Sequence, residues 1–126
     1  MVAMEKQVTY WRTSAEEDWA VASELYQSGR IRHCLFFAHL AVEKTLKAHI
    51  CRVTGNPAPP IHNLSRLLSL SGIDLLDEQI DILAQINQFN IEGRYPDIQL
   101  PSMTREEAGH YLNAIEKVLE CLNKLF

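Results

Sequence analysis

The chain has 126 residues, of which 47% are apolar and 22% are charged, as in an ordinary globular protein. This length suits one hydrophobic core, and we expect a single domain over residues 1–126. The net charge of −4 argues against non-specific binding to nucleic acid, and no apolar run approaches the roughly 20 residues of a membrane span. We expect no signal peptide, and the three cysteines show no CxxC spacing, so the sequence predicts a cytoplasmic protein.

The first helix is predicted from the residues at its two ends. Thr13 or Ser14, followed by Glu16 and Glu17, has the pattern of a capping box and predicts that helix 1 begins there. Gly29 is a typical residue just beyond a helix C-terminus and predicts its end.

Helix 2 is predicted between two glycines and is apolar on nearly every side. One stripe consists of Ile31, Leu35, Ala38, Val42, Leu46, His49 and Val53. The apolar residues outside that stripe are Cys34, Phe36, Phe37, Leu40 and Ala41. Such a helix must be covered on more than one side. Because a short chain has few helices with which to cover it, we predict a homodimer in which part of helix 2 is buried against a second copy.

Three more helices complete the prediction. A short helix 3 is predicted in IHNLSRLLSLSG, which follows the proline-rich loop NPAPP. Helix 4 is predicted from Asp77 to Phe89, and the last helix begins with a capping box at Thr104 and Glu107. No segment alternates with the period of a half-buried strand. The predicted fold class is all-α, an antiparallel four-helix bundle with an additional short helix.

Charge is unevenly distributed along the chain. Residues 30–52 carry five Lys or Arg residues against Glu43 alone, whereas residues 73–97 carry six acidic residues against Arg94 alone. This pattern has two interpretations, which are charge complementarity between neighbouring helices and a local site for an anion.

The contacts of individual charged residues can also be interpreted in more than one way. Glu43 and Lys47 are four residues apart, which is the spacing of a surface ion pair on a helix. Alternatively, one residue among Glu43, Lys44 and Lys47 pairs across the bundle with Arg94 or Asp18. His62 is predicted at the start of helix 3, where it caps the helix or bonds a backbone carbonyl.

The stretch NQFNIEGRYPDIQLP, residues 87–101, separates the last two helices. Pro96 excludes Tyr95 from a helix, and Gly93 allows the backbone to turn just before Arg94. The sequence therefore predicts that Arg94 and Tyr95 are held on a constrained segment.

Four stretches resemble the HEPN family of small prokaryotic helical bundles. They are GRIRHCLFFAHLAVEKTLKAHI, PPIHNL, GRYPD and TREEAGHYLNAIEKVL. The resemblance implies a dimeric bundle that is frequently encoded beside a minimal nucleotidyltransferase and that binds nucleotides or acts in a toxin–antitoxin pair. It assigns a nucleotide or phosphate site to the residues that match the family's signatures, which are Glu43, Lys44, Lys47, His62, Arg94 and Tyr95. The usual Gln of the helix 2 signature is His39 here.

Many toxin members of the family are metal-independent ribonucleases with an Arg-x4-6-His motif, which gives a second functional hypothesis. Two pairs have this spacing, Arg105 with His110 and Arg32 with His39. On a regular helix the first pair diverges by roughly 140°, and the second shares a face at a separation of about 10 Å along the axis. No metal site or cofactor is predicted.

Three functional hypotheses follow. The first is a non-enzymatic dimer that partners a nucleotidyltransferase and binds a nucleotide or phosphate group. The second is an endoribonuclease that uses Arg and His across the dimer to cleave RNA. The third is a structural bundle of unknown role.

Overall fold

The computed structural model describes the backbone of residues 2–94 and 103–126, and the side chains of residues 4–90 and 103–126. Five helices form this part of the chain, and it contains no strand. The helices are α1 (Val2–Gln27), α2 (Ile31–Thr54), α3 (Leu64–Ser71), α4 (Asp77–Arg94) and α5 (Arg105–Lys124). The predicted all-α class, with four longer helices and one short helix, is confirmed.

The helix α2 lies at the centre of the fold and packs against each of the other four helices. Fourteen of its residues are buried, including Cys34 and Ala41, which lie outside the predicted stripe. The need to cover α2 on several sides is therefore largely met within one chain. Three apolar residues of the same helix, Phe36, Phe37 and Leu40, are only half-buried. Val53, which was predicted on the stripe, is 51% exposed.

Two predicted helix boundaries are wrong. The helix α1 begins at Val2, so Thr13 and Ser14 lie inside it and cap nothing. No glycine or proline interrupts residues 2–12, and the Ser14 hydroxyl accepts a hydrogen bond from Lys44. The helix α4 continues past Phe89 to Arg94, because a glycine in the last turn weakens a helix without ending it.

Three other helix ends follow the sequence signals. Gly55 and Gly72 end α2 and α3 in the left-handed conformation that glycine adopts without strain. Thr104 and Glu107 form the predicted capping box at the start of α5, with both reciprocal hydrogen bonds at 3.1 Å. Within the part of the chain that is described, no helix is long and apolar enough to cross a membrane.

Candidate functional site

A row of polar side chains runs along the buried face of α2. His39, Glu43 and Lys47 are spaced four residues apart and therefore share one side of the helix. All three are buried, with 0%, 3% and 5% of their surface exposed. Ionisable groups are rarely buried unless they are paired, so this row is an unusual feature of the core.

The Glu43 carboxylate is where these groups meet. Its Oε2 atom accepts hydrogen bonds from Lys47 Nζ and His62 Nδ1, each at 3.1 Å. Its Oε1 atom is 3.6 Å from Nδ1 of His39 and has no hydrogen-bond partner among the described residues. We call Glu43, Lys47, His39 and His62 the Glu43 cluster. The expected surface pair between Glu43 and Lys47 is thus a buried pair.

His62 reaches this cluster from the loop that precedes α3. The amide of Ile61 donates to the carbonyl of Pro59 at 2.8 Å, and Asn63 caps α3 by accepting from the amide of Arg66 at 3.0 Å. Asn63 thus takes the capping position that was predicted for His62, and Nδ1 of His62 bonds the Glu43 carboxylate. About half of its side chain, 45%, is exposed.

The geometry fixes the protonation pattern of His62. A carboxylate oxygen can only accept a hydrogen bond, so Nδ1 of His62 carries the proton that lies between the two groups. In the neutral form, Nε2 is then the acceptor nitrogen of the ring. Glu43 therefore orients an imidazole that is partly at the surface, which is an arrangement seen where histidines bind ligands or transfer protons.

Lys47 balances the charge of Glu43 inside the protein. Its ammonium group lies 5.3 Å from the centre of the Trp11 ring, which adds a cation–π contact from α1. Because Glu43 and Lys47 carry opposite charges, the buried part of the cluster adds no net negative charge that would repel an anion.

Lys44 pairs with α1. Its Nζ atom is 2.7 Å from Oδ2 of Asp18 and 2.8 Å from Oγ of Ser14. The predicted pairing of a helix 2 lysine with Asp18 is confirmed, and it supports charge complementarity between the basic α2 and the acidic α1. Both lysines of the family signature are thus bound to carboxylates, so neither is an uncommitted cation.

Neither Arg–His pair comes together within one chain. Arg32 is exposed, whereas His39 is completely buried in the Glu43 cluster. Arg105 lies over the ring of Tyr26 at 4.8 Å, on the side of α5 that faces α1. His110 is exposed in a groove next to Gln85 of α4. The divergence predicted from helical geometry for Arg105 and His110 is therefore present.

Arg94 and Tyr95 are the two proposed site residues that the structure does not reach. Arg94 is the last residue of α4, but its side chain and all of Tyr95 lie outside the described residues. Seven residues before Arg94, the side chain of Asn87 accepts a hydrogen bond from the amide of Leu64 at 2.8 Å. This contact joins α4 to the start of α3, close in sequence to His62, and sequence reasoning did not identify it.

Thiols and metals offer no competing site in the described part of the chain. No group of three or more His, Cys, Asp or Glu residues there could hold a metal ion. Cys34 and Cys51 are buried, and burial raises the pKa of the Cys34 thiol to about 11, so it stays protonated. Burial also raises the pKa of Cys51, and only Cys121 of the three is exposed.

Comparisons with known proteins agree with the fold. Two crystal structures are similar, each with 20% sequence identity. TT1696 from Thermus thermophilus has a TM-score of 0.81, and the match covers 95% of this chain and 98% of that chain. ST0689, an archaeal HEPN homologue, has a TM-score of 0.73, with coverage of 94% and 96%. Comparison with curated protein sequences gives no match.

Identities of this size show a shared fold alone. The sequence model of the HEPN domain, however, matches residues 8–125, which is nearly the whole chain. This protein therefore belongs to the HEPN domain family.

Proposed function

We propose that this chain is a non-enzymatic HEPN module that forms a homodimer, partners a minimal nucleotidyltransferase and binds a nucleotide or phosphate group at the Glu43 cluster. The observation that carries the ligand proposal is the half-exposed imidazole of His62, held at 3.1 Å by the buried carboxylate of Glu43. A side chain that is fixed in this way loses little conformational entropy when it binds a ligand.

The role of the lysines in this proposal follows from their contacts. Lys47 neutralises Glu43, and Lys44 is bound to Asp18, so neither contacts the ligand directly. His62 supplies the contact at the surface, and Arg94, at the end of α4, supplies a guanidinium. The acceptor atom Oε1 of Glu43 is buried and accepts no hydrogen bond from a described residue, so it can accept a further donor.

Titration with ATP and with inorganic phosphate tests the ligand proposal. We expect amide and imidazole NMR signals to shift at His62, Lys47 and Arg94, and we expect His62→Gln to abolish the shifts. His33→Gln is the matched control, because His33 is an exposed histidine in the first turn of α2, away from the cluster. Wild-type protein with no perturbation at these residues would show that the cluster does not bind phosphate.

The partner proposal has a separate test. We expect a neighbouring open reading frame to encode a minimal nucleotidyltransferase, and we expect the two purified products to coelute in size-exclusion chromatography. If no such gene is present, or if the two proteins elute separately at micromolar concentration, the partnership is wrong.

The ribonuclease hypothesis is less well supported by the geometry. Metal-free cleavage of RNA requires a base near the 2′-hydroxyl and a cation on the phosphate. Both Arg–His pairs are separated within one chain, so a second protomer would have to complete the site, and His39 is completely buried. If purified protein degrades RNA without added metal, and if His110→Ala or His39→Ala removes that activity, the non-enzymatic proposal is wrong.

A further inference from the structure

A second buried histidine joins α2 to the end of α5. His49 is completely buried, and its Nε2 atom is 2.8 Å from the carbonyl oxygen of Leu122. Its Nδ1 atom is 3.3 Å from Nη2 of Arg52. Because a carbonyl only accepts and a guanidinium only donates, these contacts fix the neutral tautomer with its proton on Nε2.

Phe126 continues this contact beyond the last turn of α5. Its ring stacks on the imidazole of His49 with 3.7 Å between the ring centres and 14° between their planes. The guanidinium carbon of Arg12, from α1, lies 4.0 Å from the centre of the same ring, and that of Arg52 lies 5.9 Å away. The end of α5 is thus held to α2 through a neutral imidazole.

Among the described residues, the charged side chains that act on His49 are two arginines. Arg52 comes from its own helix and Arg12 from α1, while α5 and the residues after it contribute the uncharged Leu122 carbonyl and Phe126 ring. Burial lowers the pKa of His49 below its usual 6.5, and both arginines lower it further, whereas the hydrogen bond to Leu122 opposes this change.

We propose that these contacts form a proton-sensitive clasp, in which protonation of His49 detaches Phe126 and the last turn of α5 from α2. A proton on Nδ1 removes the acceptor that Arg52 uses and places a second positive charge beside its guanidinium. Detachment would then bring a charged His49 to the surface beside Arg52, which is already exposed, and Arg12, which is half-buried. The clasp therefore couples acidity to an increase of positive charge at this end of the bundle.

The direction of the pH dependence follows from the lowered pKa. When the clasp is open, His49 is solvated and binds a proton more readily than when it is closed. The clasp is therefore fully stable above the ordinary histidine pKa, and its stability is lost as the pH falls through the lower value of the closed state. Acidification weakens it, and alkaline conditions leave it intact.

Hydrogen exchange of the full chain tests the proposal. It is measured by mass spectrometry at about pH 7.5 and about pH 5.5, which lie on either side of the ordinary histidine pKa. After correction for intrinsic rates, we expect residues 119–126 to exchange severalfold faster in acid, while residues 64–71 of α3 do not change. His49→Gln keeps a side-chain donor for Leu122 and cannot be protonated, so it should lose this acid response. His33→Gln should retain it.

Two results would overturn the proposal. One is a wild-type chain whose residues 119–126 exchange equally at both pH values, and the other is an acid response that persists in His49→Gln. Should that variant fail to fold, an NMR titration of the wild-type chain gives the answer. The ring signals of Phe126 must then change with the same midpoint as His49, and different midpoints contradict the clasp.

Discussion

Burial of the Glu43 carboxylate is energetically costly. Moving an isolated carboxylate from water into a protein interior costs several kcal/mol. Among the described residues, the hydrogen bonds from Lys47 and His62 offset that cost, and His39 lies 3.6 Å from the other carboxylate oxygen. The pair of Glu43 and Lys47 was recognisable in the sequence from its spacing of four residues. The contact with His62 was not, because it requires the loop before α3 to fold back onto α2 across 19 residues.

The burial of Glu43 together with Lys47 leads to a prediction about stability. Glu43→Leu leaves Lys47 buried without its carboxylate, so we expect the free energy of unfolding to fall by about 3–5 kcal/mol. The double variant Glu43→Leu with Lys47→Met removes both charges and should recover much of that loss. Urea denaturation followed by circular dichroism measures both changes.

A matched control separates burial from the substitution itself. Glu24 is exposed on α1, and Glu24→Leu should change the free energy of unfolding by less than about 0.5 kcal/mol. If Glu43→Leu is equally mild, or if the double variant is as unstable as the single one, Lys47 does not depend on Glu43 for its stability in the core.

At the level of helices, the same capping pattern occurs twice in the sequence with different outcomes. Thr104 caps α5, whereas Thr13 lies in the middle of α1. A capping box is a local signal, and it is overridden where the residues before it can also continue the helix. Asn63, which caps α3, was not identified from the sequence. The ends of α2 and α3 and the start of α5 could be predicted, because glycine or threonine marks them. The start of α1 could not.

These two threonines give a direct comparison. Thr104→Ala removes an N-cap hydrogen bond, and we expect it to cost about 1 kcal/mol of stability. Thr13→Ala places a better helix former at an exposed helical position and should be neutral or slightly stabilising. Thermal unfolding of both variants measures the difference, and equal losses would show that Thr13 acts as a cap after all.

In the whole molecule, the other helices of the same chain cover most of α2, whereas a second protomer was expected to cover part of it. Cys34 and Ala41 are covered within the chain, but Phe36, Phe37 and Leu40 keep part of their apolar surface exposed. The all-α architecture followed from helical periodicity alone. Whether an apolar side chain is covered by its own chain or by a partner depends on how the helices are arranged in space, which periodicity does not determine.

We predict that the protein is a dimer at micromolar concentration and that Leu40→Glu makes it monomeric, because a charge in an apolar interface loses its hydration. Size-exclusion chromatography with light scattering measures the mass, and circular dichroism checks that the variant is folded. Leu70→Glu is the control, since Leu70 is an exposed leucine of α3 and the variant should remain dimeric. A monomeric wild-type protein would contradict the dimer.

The central position of α2 also has a consequence for the order in which the chain assembles. The helices α1 and α2 are neighbours in sequence and pack together, so this hairpin can form during synthesis before α3, α4 and α5 exist. The outer apolar face of this hairpin stays exposed until the later helices pack on it. We therefore expect the later helices to pack onto the hairpin formed by the first 54 residues, and we expect defects in α2 to disturb that packing.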